Sequence, residues 1–261
     1  MSDAAAAHER GFAYVAAHGD AFARWRATEL AAARPVRSCS LPDGVTQRHD
    51  GSFAAPAPAD AAADWRALLA VVGALDDLHG LHLPLVERAC AYAEASQGDD
   101  GGWGFAGASE DERIFLTGML GGHFGKSRFA RAGTLIAAGD HLAERFAPER
   151  VQNFAWRAIT AYAHFFSNVP HEAADAVLQW TGRELERGFR THHFDAVRTA
   201  RVLLYADAPS LPGARLAAAE VVAAIRSEQA DDGGWLRLED PSPAARVLHT
   251  LDALTALVRF G

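Results

Sequence analysis

The sequence predicts an all-α protein, a single (α/α)6 toroid or barrel of about six helical hairpins spanning residues 1–261. Three observations carry this reading. Alanine is abundant and β-branched residues seldom cluster, which favours helix almost throughout. Six segments open alike, with an arginine near the start of each, at Arg26, Arg66, Arg113, Arg157, Arg198 and Arg246, separated by 40, 47, 44, 41 and 48 residues. Gly-rich turns recur in the linkers at 50–53, 100–103 and 232–235. A repeat of about 44 residues holding two helices fits the length almost six times, and repeats of this size stack or close into one architecture.

In chain order the six inner helices are expected at 22–34, 64–75, 112–120, 155–165, 195–205 and 244–260, three of them beginning Trp-Arg-Ala at Trp25, Trp65 and Trp156. A second, flanking set is expected at 9–18, 84–96, 131–146, 171–188 and 213–229. The Pro/Ala stretch 54–63 and the Pro-containing loops 167–170 and 207–213 read as connections, because the repeat continues across each. Closure is favoured over an open solenoid: the last helix carries Leu248, Leu251, Leu254, Leu257 and Val258, an apolar face that needs a neighbour, and no polar capping repeat follows it.

The balance of 25 Lys+Arg against 33 Asp+Glu, net −8, disfavours a nucleic acid or an anionic membrane as partner. Cys39 and Cys90 have neither zinc-knuckle nor redox spacing, so a reducing compartment is expected. Residues 1–17 lack the pattern of a signal peptide. The apolar run 216–225 falls short of the roughly 20 residues that span a bilayer, so no integral membrane segment and a cytoplasmic location are expected.

Two turns are nearly identical: Gln97-Gly-Asp-Asp-Gly-Gly-Trp103 and Gln229-Ala-Asp-Asp-Gly-Gly-Trp235. Their glycines permit a left-handed or closely approached backbone and the Trp can anchor the turn between hairpins, so their own role is structural. The spacing resembles the Q-x-x-D-G-G-W/F repeat of the terpenoid cyclase and protein prenyltransferase superfamily, with a partial third copy around Asp50. The resemblance implies an α/α toroid with its active site in the funnel enclosed by the inner helices, near their N-terminal ends.

The segment Gly188-Phe-Arg-Thr-His-His-Phe-Asp195 resembles a stretch of protein prenyltransferase β subunits. On that match Arg190 takes a diphosphate-binding position, His193 a lysine position and Asp195 that of a zinc-ligating aspartate, while Val197 stands where the family has its cysteine. Leu248-His-Thr-Leu-Asp-Ala-Leu254 is similar to the segment that supplies the zinc histidine, which falls on His249. Asp195 and His249 with His192 or His193 then make an N/O ligand set for zinc or iron. A cap or loop role for the loop histidines and a core role for His249 stand beside this.

Other candidates lie at the same mouth. The inner-helix arginines, Arg113 and Arg157 among them, either form an anion-binding ring or bond to neighbouring repeats. Trp156 with Trp25 and Trp65 either lines a cavity suited to cation–π contacts or packs between helices. The class II cyclase motif D-x-D-D is missing, and Asp76-Asp77 is a simple acidic pair. The acidic cluster Glu110-Asp111-Glu112 offers a general acid or ordinary helix-start charges. Gly121-Gly-His-Phe-Gly125 with Lys126 and Arg128 reads as a flexible basic loop.

The resemblance implies an enzyme acting on a small apolar or isoprenoid-type substrate in a central cavity, through acid- or metal-initiated cyclisation, isomerisation or prenyl-type transfer. Protein prenyltransferases use a separate helical subunit, so the resemblance also implies a protein partner. The alternative is a noncatalytic toroid that binds a peptide, a lipid or another protein.

Overall fold

In the computed structural model, which describes residues 3–37, 41–54, 61–237, 240 and 242–261, helix dominates as the alanine content requires. The elements are α1 (Asp3–His18), α2 (Ala21–Ala31), β1 (Thr46–Gln47), β2 (Phe53–Ala54), α3 (Ala61–Asp77), α4 (Pro84–Ala95), α5 (Glu110–Gly125), α6 (Ala132–Glu144), α7 (Pro148–Val151), α8 (Trp156–Asn168), α9 (Ala174–Arg190), α10 (Ala196–Ala206), α11 (Ala218–Ser227) and α12 (Pro243–Phe260). Cys39 and residues 55–60 of the Pro/Ala connection lie outside the described residues. No helix among the described residues is long and apolar enough to cross a membrane.

Side-chain caps set several helix starts. Asp20 Oδ1 accepts the Ala23 N–H at 2.7 Å, Ser109 Oγ that of Glu112 at 3.2 Å, Asp195 Oδ1 that of Arg198 at 2.7 Å and Ser242 Oγ that of Ala245 at 3.3 Å. Residues 121–125 continue α5 and are not a loop. Burial overrides the low helix propensity of the glycines here, which sit where a neighbouring helix approaches closely.

The helices form two sets, as the repeat predicts. α3 packs on α5, α5 on α8, α8 on α10, α10 on α12 and α12 on α2. Arg26 on α2 reaches Asp77 on α3 at 2.7 Å. The second set flanks the first: α1 lies on α2 and α12, α6 on α5 and α8, α9 on α8, and α11 on α10 and α12. Trp65 of α3 meets Tyr92 of α4 with ring centroids 5.7 Å apart. The result is an all-α helical-repeat arrangement in which the last helix packs against the first two.

The turn motif is the device that joins repeats. Gln97 Nε2 donates to Gly101 O at 2.8 Å, closing its own turn, and to Thr134 O on α6 at 2.9 Å. Gly101, at φ +78°, lies so close to α6 that a Cβ there would stand 2.1 Å from Ala137 O. Trp103 is fully buried, donating its indole N–H to Ala93 O at 2.7 Å and its backbone N–H to Thr117 Oγ1 at 2.8 Å.

The turn at Gln229 repeats each contact. Its amide reaches Gly233 O at 2.8 Å and Ala7 O on α1 at 2.9 Å, and Trp235 donates to Ile225 O at 2.7 Å and Thr250 Oγ1 at 3.1 Å. The partial copy at Asp50 keeps the glutamine and glycine contacts without the indole hydrogen bond. Gln47 binds Gly51 O and Leu85 O of α4 at 3.0 and 2.8 Å, Phe53 replaces the Trp in the core, and β1 and β2 form the hairpin stem.

Arginines of the repeat clamp two of these turns. Arg113 donates to Asp100 at 2.5 Å and Arg246 to Asp232 at 2.6 Å, and these bonds hold both carboxyls below their usual range. This stabilisation is complete above the unfolded carboxylate value of 3.8 and is lost as pH falls through the lower folded values. Asp100→Asn combined with Asp232→Asn is therefore expected to lower stability near neutrality and to flatten its decline between about pH 4 and 2, read by urea denaturation.

Gly107 at φ +82° has open space around it, so Gly107→Ala meets only the backbone cost of about 1–2 kcal/mol. Gly101→Ala is expected to lose roughly a further 1–3 kcal/mol by overpacking against α6. Equal losses in the two variants contradict the docking role of the turn.

Candidate metal centre

The last turn of α3 carries Asp76 and Asp77, whose carboxylates face different neighbours. Asp77 accepts from Arg201 of α10 at 2.6 Å and from Arg26 of α2 at 2.7 Å, and Asp252 of α12 stands 3.5 Å from Arg26 and 3.8 Å from Arg201. Asp77, Arg26 and Arg201 are buried, so two cations and two anions balance one another inside four helices. The Arg201 guanidinium also lies over the Tyr205 ring, 4.2 Å from its centroid.

Asp76 serves a second cluster. Its Oδ2 accepts from His123 Nδ1 on α5 at 2.9 Å and from Lys126 Nζ at 2.9 Å. His164 of α8 packs edge-on to His123, with ring centroids 4.3 Å apart, and its Nδ1 lies 2.7 Å from the Tyr205 carbonyl. A carbonyl only accepts, so that nitrogen carries the proton and Nε2 keeps its lone pair. On His123 it is Nδ1 that faces Asp76, so an ion shared by these two residues would take the Nδ1 lone pair in place of that hydrogen bond. Asn168 steadies the arrangement, donating to Tyr205 O at 2.9 Å and His164 O at 2.7 Å.

A glycine makes room for the site: a Cβ on Gly122 would fall 2.4 Å from His164 Cδ2. Both imidazoles are fully buried, and the Nε2 atom of each has no hydrogen-bond partner. The same holds for the Nε2 atoms of His8, His141 and His249, so it is the closeness of His123 and His164 to each other and to Asp76 that sets this pair apart. Burial lowers the pKa of both histidines and keeps them neutral. Burial also works against the Asp76 carboxylate, but the His123 hydrogen bond and the Lys126 ammonium hold it below the usual carboxylate range.

Neutral imidazole nitrogens and a carboxylate are metal-ligand chemistry. Asp76, His123 and His164 each offer a ligand atom within 4.8 Å of the other two, the one such group of three among the described residues. Asp76 and Lys126 also line a cleft of about 340 Å³ that opens at this end of the helices.

The residues singled out from the sequence lie at the opposite ends of the helices. Asp195 and His249 do come together, Oδ2 to Nε2 at 3.4 Å, while the other carboxylate oxygen of Asp195 caps α10. His193 stacks on Phe154 with centroids 3.6 Å apart and bonds to Thr191 at 2.9 Å. His192 lines a cleft beside Glu228 and forms no three-ligand group with Asp195 and His249. Arg190 is held at the surface of α9 by Glu220 and Glu186, and Arg113 is committed to Asp100.

Arg157 donates to Glu112 at 2.7 Å, and Trp156 packs between Phe194 and the Arg198 guanidinium. Glu110 and Asp111 both pair with Arg150. Asp111, Trp156 and Arg157 line a mouth cleft of about 710 Å³ with Arg150, Arg198 and Arg237. The mouth carboxyl that burial pushes up is Glu228, which sequence reasoning missed.

It missed Asp76, His123 and His164 as well, although the repeat held a signal. Asp76 and His123 each fall ten residues after a repeat arginine, Arg66 and Arg113, and His164 and Tyr205 each fall seven after Arg157 and Arg198. No protein-family model, curated protein or solved structure matches the chain.

Removing Asp77 strands two buried guanidinium groups with only Asp252 nearby. Asp77→Ala is expected to cost about 3–5 kcal/mol in urea denaturation. Glu220→Ala, which breaks the exposed pair with Arg190, is expected to cost less than about 1 kcal/mol.

Proposed function

We propose that this chain is a metal-dependent enzyme built on a closed (α/α)6 toroid, with its reaction centre at Asp76, His123 and His164. One observation carries the reading: a half-buried carboxylate and two buried, neutral histidines that offer ligand atoms within 4.8 Å of one another, beside a cleft. Two histidines and one carboxylate suit a divalent first-row ion such as zinc or iron, which polarises a substrate oxygen or activates water when bound. The protein's own part is to fix the His164 tautomer through the Tyr205 carbonyl, to bring His123 against Asp76, and to place the Lys126 ammonium in the cleft wall beside that carboxylate.

Ring closure is supported by the packing of α12 on α1 and α2, by the Gln229 turn seated on α1, and by the Arg26–Asp77 bridge. The three Gln-to-aromatic turns support membership of the terpenoid cyclase and protein prenyltransferase superfamily.

A second reading keeps the isoprenoid-type substrate at the opposite mouth. The larger arginine- and aromatic-lined cleft and the Asp195–His249 approach favour it.

Metal content separates the two. Protein stripped with chelator and dialysed against zinc or iron is expected to retain about one equivalent in wild type and in His249→Ala, with affinity falling about 10–100-fold or more in His164→Ala. The reverse pattern moves the chemistry to Asp195 and His249. No uptake in wild type contradicts both metal sites and favours the noncatalytic binding module.

A further inference from the structure

The cleft beside Asp76 collects the C-terminal ends of four helices. α3, α5, α10 and α12 end at Asp77, Gly125, Ala206 and Phe260, and the residues that line the cleft close or follow those ends. A helix C-terminus carries roughly half a negative charge, so the four together contribute about −2. Asp76 and Asp207 add two negative charges, against which stand Lys126, Arg128 and Arg259. Lys126 is engaged by Asp76 at 2.9 Å and Arg259 by Asp207 at 2.8 Å. Arg128 lies over the Phe129 ring at 5.0 Å, and among the described residues no carboxylate pairs with it. His79 and His82 complete the polar wall, and Leu81 is the one aliphatic residue lining the cleft.

We infer that this cleft binds a small molecule bearing a carboxylate or phosphate, and that it does so only when a divalent cation sits at Asp76, His123 and His164. The inference rests on the proposed metal centre and names the ligand that centre serves. Without the cation the local balance is about −1, which repels an oxyanion. A divalent ion brings it to about +1 and places positive charge beside Asp76, with Arg128 free to take the far side of the ligand. The cleft volume of about 340 Å³ and its polar lining suit a compact anion and not a long hydrocarbon. This ligand therefore differs in class from the apolar substrate expected at the opposite mouth.

The test begins with zinc uptake alone. Wild-type protein that takes up no zinc overturns the metal centre, and the inference with it. Where zinc binds, free metal is removed by gel filtration, and inorganic phosphate and succinate are titrated separately by calorimetry into zinc-loaded and zinc-free protein. The expected result is that at least one anion binds the loaded form about tenfold or more tightly than the zinc-free form. Arg128→Ala is expected to weaken that binding about fivefold with zinc content unchanged. Binding of phosphate alone assigns a phosphate-bearing ligand, and binding of succinate alone assigns a carboxylate.

Loaded protein that binds neither anion, or binds one equally with and without zinc, overturns the inference and leaves the metal centre standing. So does an Arg128→Ala variant that binds as wild type, because the anion would then be held by the ion alone.

Discussion

Asp77 follows Asp76 on α3, and the helical step between them, about 100°, sends one carboxylate toward two arginines and the other toward a histidine. Through Asp77 the middles of α2, α10 and α12 are tied to the end of α3 by charges that balance only when all four helices are in place. Through Asp76 the same turn reaches α5 and orients His123 toward His164. A buried ionic network of this kind adds little net stability over apolar packing, but it penalises any arrangement that leaves a member unpaired. The geometry of the histidine pair is thus set by the same short segment that fixes how the inner helices meet.

The flanking helices depend on a different constraint, the close seat of each Gly-rich turn on one of them. In all three copies the glutamine amide and the glycine meet carbonyls three residues apart, at Leu85 and Arg88, Thr134 and Ala137, and Ala7 and Arg10. The two earlier turns seat on helices later in the chain, whereas the last seats on α1. A turn that offers the same two contacts each time joins hairpins with little dependence on the rest of their sequence. The remaining side chains of each repeat can then diverge, as the change from Trp to Phe53 shows.

Much of the fold was legible because helix propensity, repeat spacing and turn chemistry agreed. The six inner segments are helices, and the Gln-to-Trp turns have the structural role their glycines and tryptophans suggested. The site was less legible. Asp76-Asp77 looks like any surface acidic pair until the helices are assembled, because its partners lie tens of residues away on other repeats. Gly121-Gly-His-Phe-Gly125 reads as a loop by local propensity, yet its glycines admit the His164 and Phe165 side chains of α8. Equal offset from the repeat arginine was the one sequence signal that aligned Asp76 with His123. Family resemblance drew attention to the N-terminal ends instead, where Asp195 and His249 stand 3.4 Å apart.

The two ends of the inner helices have opposite electrostatic character. Arg150, Arg157, Arg198 and Arg237 gather near helix N-termini, whereas Asp76, Asp207 and two neutral histidines gather near C-termini, where helix dipoles favour a cation. A metal ion held by Asp76, His123 and His164 would supply that cation. X-ray absorption at the zinc edge of zinc-loaded protein tests it most directly. The account predicts a first shell of N/O donors with the outer-shell scattering of two imidazoles, reduced to one imidazole in His123→Ala. A wild-type shell without imidazole scattering, or one unchanged in that variant, would contradict it.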